Sequence, residues 1–492
     1  MNRLPRLLGG LVLPSLLAVC ARGADAPPTP LPIGTLPSSP SPRSAVVSPA
    51  PAAAETRVVT LSLAGAQQLA LEKNSLVCAA RASLTAALVR REAINSLRVP
   101  TFVARDLPVR KQQSDRGVTV AEANFHLAQM NIKYAVTYAY LSYLYAKEQE
   151  QITLDAIANL TELRTKLLTP VAEDKDQAKK LRNPDELEST ERTNFLYVET
   201  FLRLAQTRQQ EAQVGAERAL SALREALGLA PDTPVVLSRS RLPQVDLHLD
   251  KRILLELACS RRPEILQASL GLEVAGLETE AQAKASLLAF RMNTFASASD
   301  LHAQPLPEGR YDLEYRPSAV GPEYPVTLNG HRKNRIEQAE AWQERAGSVV
   351  ERTKALIALE TDQAYLRWVE ASKKLLGYRQ AYRAAQARVE EIRPEVVEGE
   401  NFLQGLTGLL EAGNLASQLR SELNKARYEM LLGLAQLERV TAGGFCAKLD
   451  EAPDAPNEAA LAIEAAKAVI KKRGKKTLLP ETPLLTPVEV QP

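Results

Sequence analysis

The residues able to do chemistry are few and far apart. Histidines stand at His126, His248, His302 and His331, and cysteines at Cys20, Cys78, Cys259 and Cys446. A metal centre or an activated nucleophile needs such groups at short, fixed spacings, as in H-E-x-x-H, a phosphate-cradling glycine loop or a nucleophile elbow. None of these motifs occurs in the sequence. The expectation is a protein without catalysis, without a cofactor and without a metal held by its own ligands, although metal ions could be cargo. Cys78, Cys259 and Cys446 are odd in number and lie in apolar, helix-prone stretches, so they are expected to be buried thiols rather than a disulfide framework. Cys20 has a different setting. Arg3 and Arg6 precede an apolar run from Leu7 to Val19 that is shorter than the about 20 residues of a membrane-spanning helix. This describes a secretory signal over residues 1–26. Leu17-Ala18-Val19-Cys20 approximates a lipoprotein processing box, making Cys20 the candidate lipidation site. Simple cleavage nearby is the alternative.

The elements that must position these residues are mainly helical. Aromatics make up only 5% of the chain, while Ala, Leu, Glu, Arg and Gln recur throughout, which favours long helices. The net charge of +3 gives no broad electrostatic argument for nucleic-acid binding. Residues 27–57 are dominated by Pro, Ser and Ala and read as an extended tether, because such a stretch buries too little apolar surface to offset its ordering entropy.

The remainder reads as one unit written twice, over residues 58–235 and 236–445. Leu61-Ser62-Leu63 opens one copy and Leu247-His248-Leu249 the other. Ala139-Tyr140-Leu141 and Ala364-Tyr365-Leu366 sit inside long helical stretches, and the copies close on similar wording at Ala219–Arg224 and Gly433–Glu438. Repetition on this scale means that a whole supersecondary unit must pack against its copy. The uninterrupted stretch from Ala121 to Leu168 predicts a helix of about 70 Å, and Arg332 to Arg393 one of about 90 Å. Pro170, Asn183 and Pro184 mark the first turn-back, and Pro394 and Gly399 the second. Return helices should end near Leu227 and Val440, capped at Gly228 and Gly443-Gly444. Tyr134-Tyr138 and Leu141-Tyr145 lie at i,i+4 spacing, which suits packing along a helix seam.

Two intervals interrupt the helices. Val99-Pro100-Thr101-Phe102-Val103 is β-prone, with helix resuming near Val120. The interval from Leu287 to Leu328 contains Arg310-Tyr311-Asp312-Leu313-Glu314-Tyr315-Arg316, which alternates polar and apolar residues. That alternation fits a barrel strand separating lipid from lumen, and equally a soluble hairpin lying on the bundle. Residues 446–492 form a Pro-rich basic tail around a short helix from Glu458 to Lys472. It reads as an exposed appendage, with contact to anionic lipid or cell wall as the alternative.

Together these residues resemble the TolC-type outer-membrane efflux factor family. Leu61-Ser62-Leu63-Ala64-Gly65-Ala66-Gln67-Gln68-Leu69-Ala70-Leu71-Glu72-Lys73-Asn74 is similar to the family's first helix. Arg262-Pro263-Glu264-Ile265 resembles the opening of its second repeat, and Ala426-Arg427-Tyr428 with Leu437–Gly443 its last helix and exit. The resemblance implies duplicated antiparallel helical hairpins forming an α-barrel. Short β-hairpins would contribute to a trimeric outer-membrane β-barrel, four strands from each protomer of a homotrimer. It also implies a periplasmic adaptor protein and an inner-membrane pump as partners, with the outer membrane and periplasm as location.

Counting back from Ala426-Arg427-Tyr428, the resemblance places Glu411 in the carboxylate ring of the channel entrance. Three such carboxylates in a narrow channel would favour cations and repel anions. By itself Glu411 is equally an ordinary solvated helix residue. The family's second acidic position falls on Gly408, and its tyrosine and arginine latch on Gly399 and Gln404, so neither feature is reproduced. Arg105, Asp106, Arg110, Lys111, Asp115 and Arg116 crowd the first β-prone interval, where a spanning strand needs about 9 to 11 residues with an apolar face. The function implied is an outer-membrane channel subunit of a tripartite efflux or type I secretion system. The alternative is an exported helical scaffold or adaptor lacking a functional membrane barrel.

Overall fold

A computed structural model describes residues 59–100, 102–169, 182–285, 328–397 and 402–473. The chain divides into Met1–Glu55 and Thr56–Pro492, and every described residue belongs to the second unit. The strand expected at Arg310–Arg316, His302 and the basic run Lys475-Lys476 lie outside the described residues.

The described unit is a helical bundle built from one motif used twice. Strand β1 (Val59–Leu61) leads into α1 (Leu63–Lys73), α2 (Ser75–Ser96), α3 (Leu107–Leu168) and α4 (Ser189–Leu227). Strand β2 (Val235–Leu237) then precedes α5 (Lys251–Arg261), α6 (Pro263–Lys284), α7 (Arg332–Val397) and α8 (Phe402–Val440). Corresponding helices have 11 and 11, 22 and 22, 62 and 66, and 39 and 39 residues. A near-constant set of lengths over so long a chain is the structural mark of duplication. β1 and β2 pair in parallel, with Val59 opposite Val235 and Leu61 opposite Leu237.

The joints within each copy are built alike. Asn74 ends α1 and caps α2: its Oδ1 accepts the Leu76 N–H at 2.9 Å while its Nδ2 donates to the Ala226 carbonyl at 3.0 Å. Gly228, at φ +68°, closes α4 against this joint, and a Cβ there would lie 2.7 Å from the Lys73 carbonyl oxygen. In the second copy Arg262 occupies the matching joint between α5 and α6. Its guanidinium is buried and binds Glu264 at 2.6 and 2.9 Å and Glu360 of α7 at 3.0 Å. This explains Arg262-Pro263-Glu264 physically: proline starts the helix, and the flanking charges neutralise each other across the seam.

The largest apolar core lies where the two copies meet. Tyr140, Leu141 and Leu144 of α3 pack with Leu223 and Leu227 of α4 and with Leu431 and Leu434 of α8. Gly433 permits this closeness, since a Cβ there would be 3.1 Å from the Trp368 backbone of α7. Tyr145 of α3 stacks on Tyr428 of α8 with ring centroids 4.7 Å apart and so packs these helices together, whereas Tyr134 and Tyr138 are neighbours within α3, 6.4 Å apart, and Tyr138 is exposed.

Three expectations need correction. Among the described residues of the interval 97–106 there is no strand: α2 ends at Ser96, and α3 begins at Leu107 rather than near Val120. Cys78, Cys259 and Cys446 are free and exposed, because each falls on the outward side of its segment. The tail helix, α9 (Glu458–Arg473), is docked rather than loose. Ala462 and Ala466 are buried, and Glu458 inserts between Arg379 of α7 at 3.1 Å and Arg427 of α8 at 3.0 Å.

Candidate channel entrance

The four long helices converge at one end of the bundle. Leu167 and Leu168 close α3, Phe195 and Val198 open α4, Leu406 and Leu410 open α8, and Leu187 joins them in one buried cluster. Leu187 follows a single 3₁₀ turn at Pro184–Glu186, so the proline expected to reverse the chain does start the return. Polar contacts brace the rim. Arg164 of α3 meets Glu199 of α4 at 2.9 Å and lies over the Phe195 ring, while Arg393 of α7 reaches Glu162 of α3 at 3.1 Å. Asn194 donates to the Leu403 carbonyl at 3.4 Å, joining α4 to α8.

Glu411 stands on α8 at this end and is exposed. Its neighbours Leu410 and Ala412 are buried. A cavity of about 770 Å³ lies between the α3–α4 and α7–α8 hairpins, and Leu409, Leu410 and Gly413 line it whereas Glu411 does not. Helical geometry therefore turns the Glu411 carboxylate away from the space between hairpins and into solvent. Gly408, three residues earlier, has open space where a side chain would project, so no second carboxylate accompanies Glu411 on that turn. Gly399 lies outside the described residues, and Cys20 lies in the undescribed N-terminal unit.

The cavity is a wall between packed helices and contains no reactive constellation. Tyr145, Phe201 and Tyr382 contribute aromatic surface, and Arg420 neutralises Asp155 at 2.6 Å. Burial pushes the Tyr382 hydroxyl above its ordinary pKa, so it stays protonated at physiological pH. Among the described residues no group of His, Cys, Asp and Glu could hold a metal ion, and no helix is long and apolar enough to cross a membrane.

The opposite end holds the charged residues that crowd the first β-prone interval. Arg110 of α3 forms a two-pronged ion pair with Glu278 of α6, including an Nη2–Oε1 contact of 3.1 Å, and also meets Asp106 at 3.4 Å. Gln113 and Gln282 donate to the same Glu278 carboxylate at 3.0 and 2.6 Å. Burial alone would raise the Glu278 pKa, but these donors outweigh it and hold the carboxyl below its ordinary value. Arg335, in the first turn of α7, donates to Gln282 at 2.8 Å, so the starts of α3 and α7 and the end of α6 share this end. The polar cluster was missed in sequence because buried positions 110, 113 and 114 carry Arg, Gln and Ser, which leave no apolar period to read.

No protein-family model and no curated protein matches the sequence. Solved structures do. A membrane protein from Pseudomonas aeruginosa aligns over 80% of this chain and 99% of its own, with TM-score 0.57 and 14% identity. The open-state outer membrane channel MtrE of Neisseria gonorrhoeae aligns over 78% and 89%, with TM-score 0.52 and 14% identity. The outer membrane channel CmeC of Campylobacter jejuni aligns over 82% and 89%, with TM-score 0.52 and 14% identity.

This is the fold of the TolC-type outer-membrane channels.

The match extends along nearly the whole length of each of those proteins, so it covers both copies of the duplicated unit rather than a single helical hairpin. The resemblance had implied a pair of strands in the connection from α2 to α3; residues 102–106 form an irregular turn there instead.

Proposed function

We propose that this protein is the outer-membrane channel subunit of a tripartite efflux or type I secretion system, passively conducting substrates from the periplasm outward without covalent chemistry. One observation carries the reading: two duplicated helical hairpins of matched length share a fold with two outer membrane channels over 89% of each of those chains, and with a membrane protein over 99% of its chain. Helices of about 90 to 100 Å exceed what a compact core can cover on all sides. Packing sibling copies around a common axis buries their remaining apolar stripes. Leu196, Leu204, Leu366 and Leu376 are exposed on the long helices of the single chain and supply such surface.

In this reading residues 1–26 are the export signal, 27–57 a tether, 58–235 and 236–445 the two repeats, and 446–492 the tail. Cys20 is the lipid attachment point, three copies form the α-barrel, and Glu411 contributes a cation-favouring ring at the entrance. A periplasmic adaptor and an inner-membrane pump supply cargo and energy.

The test is single-channel conductance of the purified protein in a planar bilayer, with and without Glu411→Ala. Cation-selective conductance that weakens in the variant supports the assignment, whereas unchanged selectivity removes Glu411 from it. The second reading, an exported scaffold without a functional barrel, draws on the strand-free α2–α3 connection. A freely soluble monomer after detergent-free extraction would favour that scaffold and end the channel reading.

A further inference from the structure

The α2–α3 turn is a built surface. Val103 and Ala104 donate their N–H groups to the Pro100 carbonyl at 2.9 and 3.2 Å, and Leu107 donates to Ala104 at 3.2 Å. Lys111 ties the turn to the end of α2 through the Asn95 carbonyl at 3.1 Å. Beneath it, Arg110 and Asp106 are fixed by the Glu278 cluster, so the turn has a defined conformation without strand pairing. At its apex Phe102 is 74% exposed, the largest fraction among the exposed large apolar residues of the described chain. Leu97 adds apolar surface beside it.

The charges around this apex are mostly of one sign. Arg98 and Arg105 flank Phe102 and are exposed, and Arg332 and Lys333 are exposed at the start of α7, on the same end of the bundle. Of the nearby acids, Asp106 and Glu278 are held inside with Arg110, and Glu280 with Lys284 and Glu337 with Lys333 at 3.9 Å form exposed pairs without net charge. Glu92 and Asp115 are exposed farther along α2 and α3, so the positive sign at the apex is carried by Arg98, Arg105 and Arg332. An apex with one protruding aromatic ring and a collar of arginines fits an anionic lipid surface. The ring can sit at the boundary of headgroups and acyl chains while the guanidinium groups meet phosphates.

We propose that the α2–α3 turn is an interfacial anchor, with Phe102 inserted at headgroup depth and Arg98 and Arg105 on anionic lipid phosphates. This rests on the channel reading, which brings the membrane to the end of the bundle where α6 passes to α7. The first connection then rests on the bilayer and leaves the crossing to the second. Spanning is excluded by the cluster beneath, since buried Arg110, Asp106 and Glu278 would have to be pulled apart to carry the chain across hydrocarbon.

The test uses the full chain with Phe102→Trp in vesicles of phosphatidylethanolamine with a minor fraction of phosphatidylglycerol. The lipids are brominated either near the headgroup end of the acyl chains or near their methyl end. Quenching is read relative to the parent chain, whose Trp342 and Trp368 give the background. The expected result is extra quenching that is stronger from the shallow bromines. It should fall in neutral phosphatidylcholine vesicles and when Arg98→Gln and Arg105→Gln are added, each lost charge weakening attachment about fivefold. Stronger quenching from the deep bromines would mean that the segment crosses the membrane, and this overturns the anchor. No extra quenching in vesicle-bound protein overturns it too, leaving the channel reading intact. Failure of the chain to bind vesicles at all defeats the channel reading itself, and the anchor with it.

Discussion

Glu278→Gln should loosen one end of the bundle and leave the rest unchanged. In the native chain the Arg110 and Glu278 side chains are 9% and 20% exposed, so the pair is largely out of water. Removing one partner of a buried pair typically costs about 3 to 5 kcal/mol, because the other charge is left without compensation. Asp106 at 3.4 Å and Gln113 at 2.8 Å still face Arg110, which reduces the expected loss to about 2 kcal/mol. That loss should appear as roughly 30-fold faster hydrogen exchange for the amides of residues 110–114, with exchange around Tyr140–Leu144 unaffected.

The pH dependence gives an independent check with a defined sign. The Glu278 pKa is held below its ordinary 4.5 in the folded chain, so its stabilising contribution is complete above 4.5 and disappears as pH falls through the lowered value. Protection of the α3 start in the native chain should therefore decline below pH 4.5, while Glu278→Gln shows little of this decline. Equal exchange in both proteins, or a uniform change over all helices, would refute the reasoning that this cluster fixes the turn.

Gly228→Ala should lower the melting temperature through a loss of about 2 kcal/mol, since the substitution combines positive φ with a clash against the Lys73 carbonyl. Gly377→Ala, in the middle of α7 with open space around it, should be neutral or slightly stabilising; a comparable loss there would undo the argument. Glu458→Ala leaves Arg379 and Arg427 without their shared carboxylate, so limited proteolysis should cut between Cys446 and Glu458 several-fold faster, with the long helices intact. Unchanged cleavage there would show that the buried Ala462 and Ala466 suffice to dock α9.

The large features were legible because they are written in local terms. The Pro- and Gly-free stretch Ala121–Leu168 showed most of α3, though the helix also runs through Gly117, and α7 runs through Gly347, Gly377 and Pro394. Helix ends were read from Gly228 and Pro184, and duplication from repeated wording at both ends of each copy. Glu411 was singled out by the family resemblance and not by local pattern, and no local signal reports whether three such carboxylates meet. The thiols were misread for a related reason: apolar company along the chain says nothing about which side of a helix meets another helix. Cys78, Cys259 and Cys446 share segments with core residues yet point outward.

Tertiary structure alone decided the α2–α3 connection. Val99–Val103 carries strand propensity; the charges from Arg105 to Arg116 argue against a membrane-spanning strand but do not say what forms in its place. The deciding partner is Glu278, 168 positions from Arg110, whose carboxylate makes a helical Arg110 and Gln113 buriable. Propensity differences amount to about 1 kcal/mol or less per residue, and a buried two-pronged ion pair with two further donors exceeds that. The sequence by itself determined the arms and their duplication. Only the packing of α6 against α3 determined that the first pair of arms closes in a turn rather than in strands, because that contact joins residues no local pattern connects.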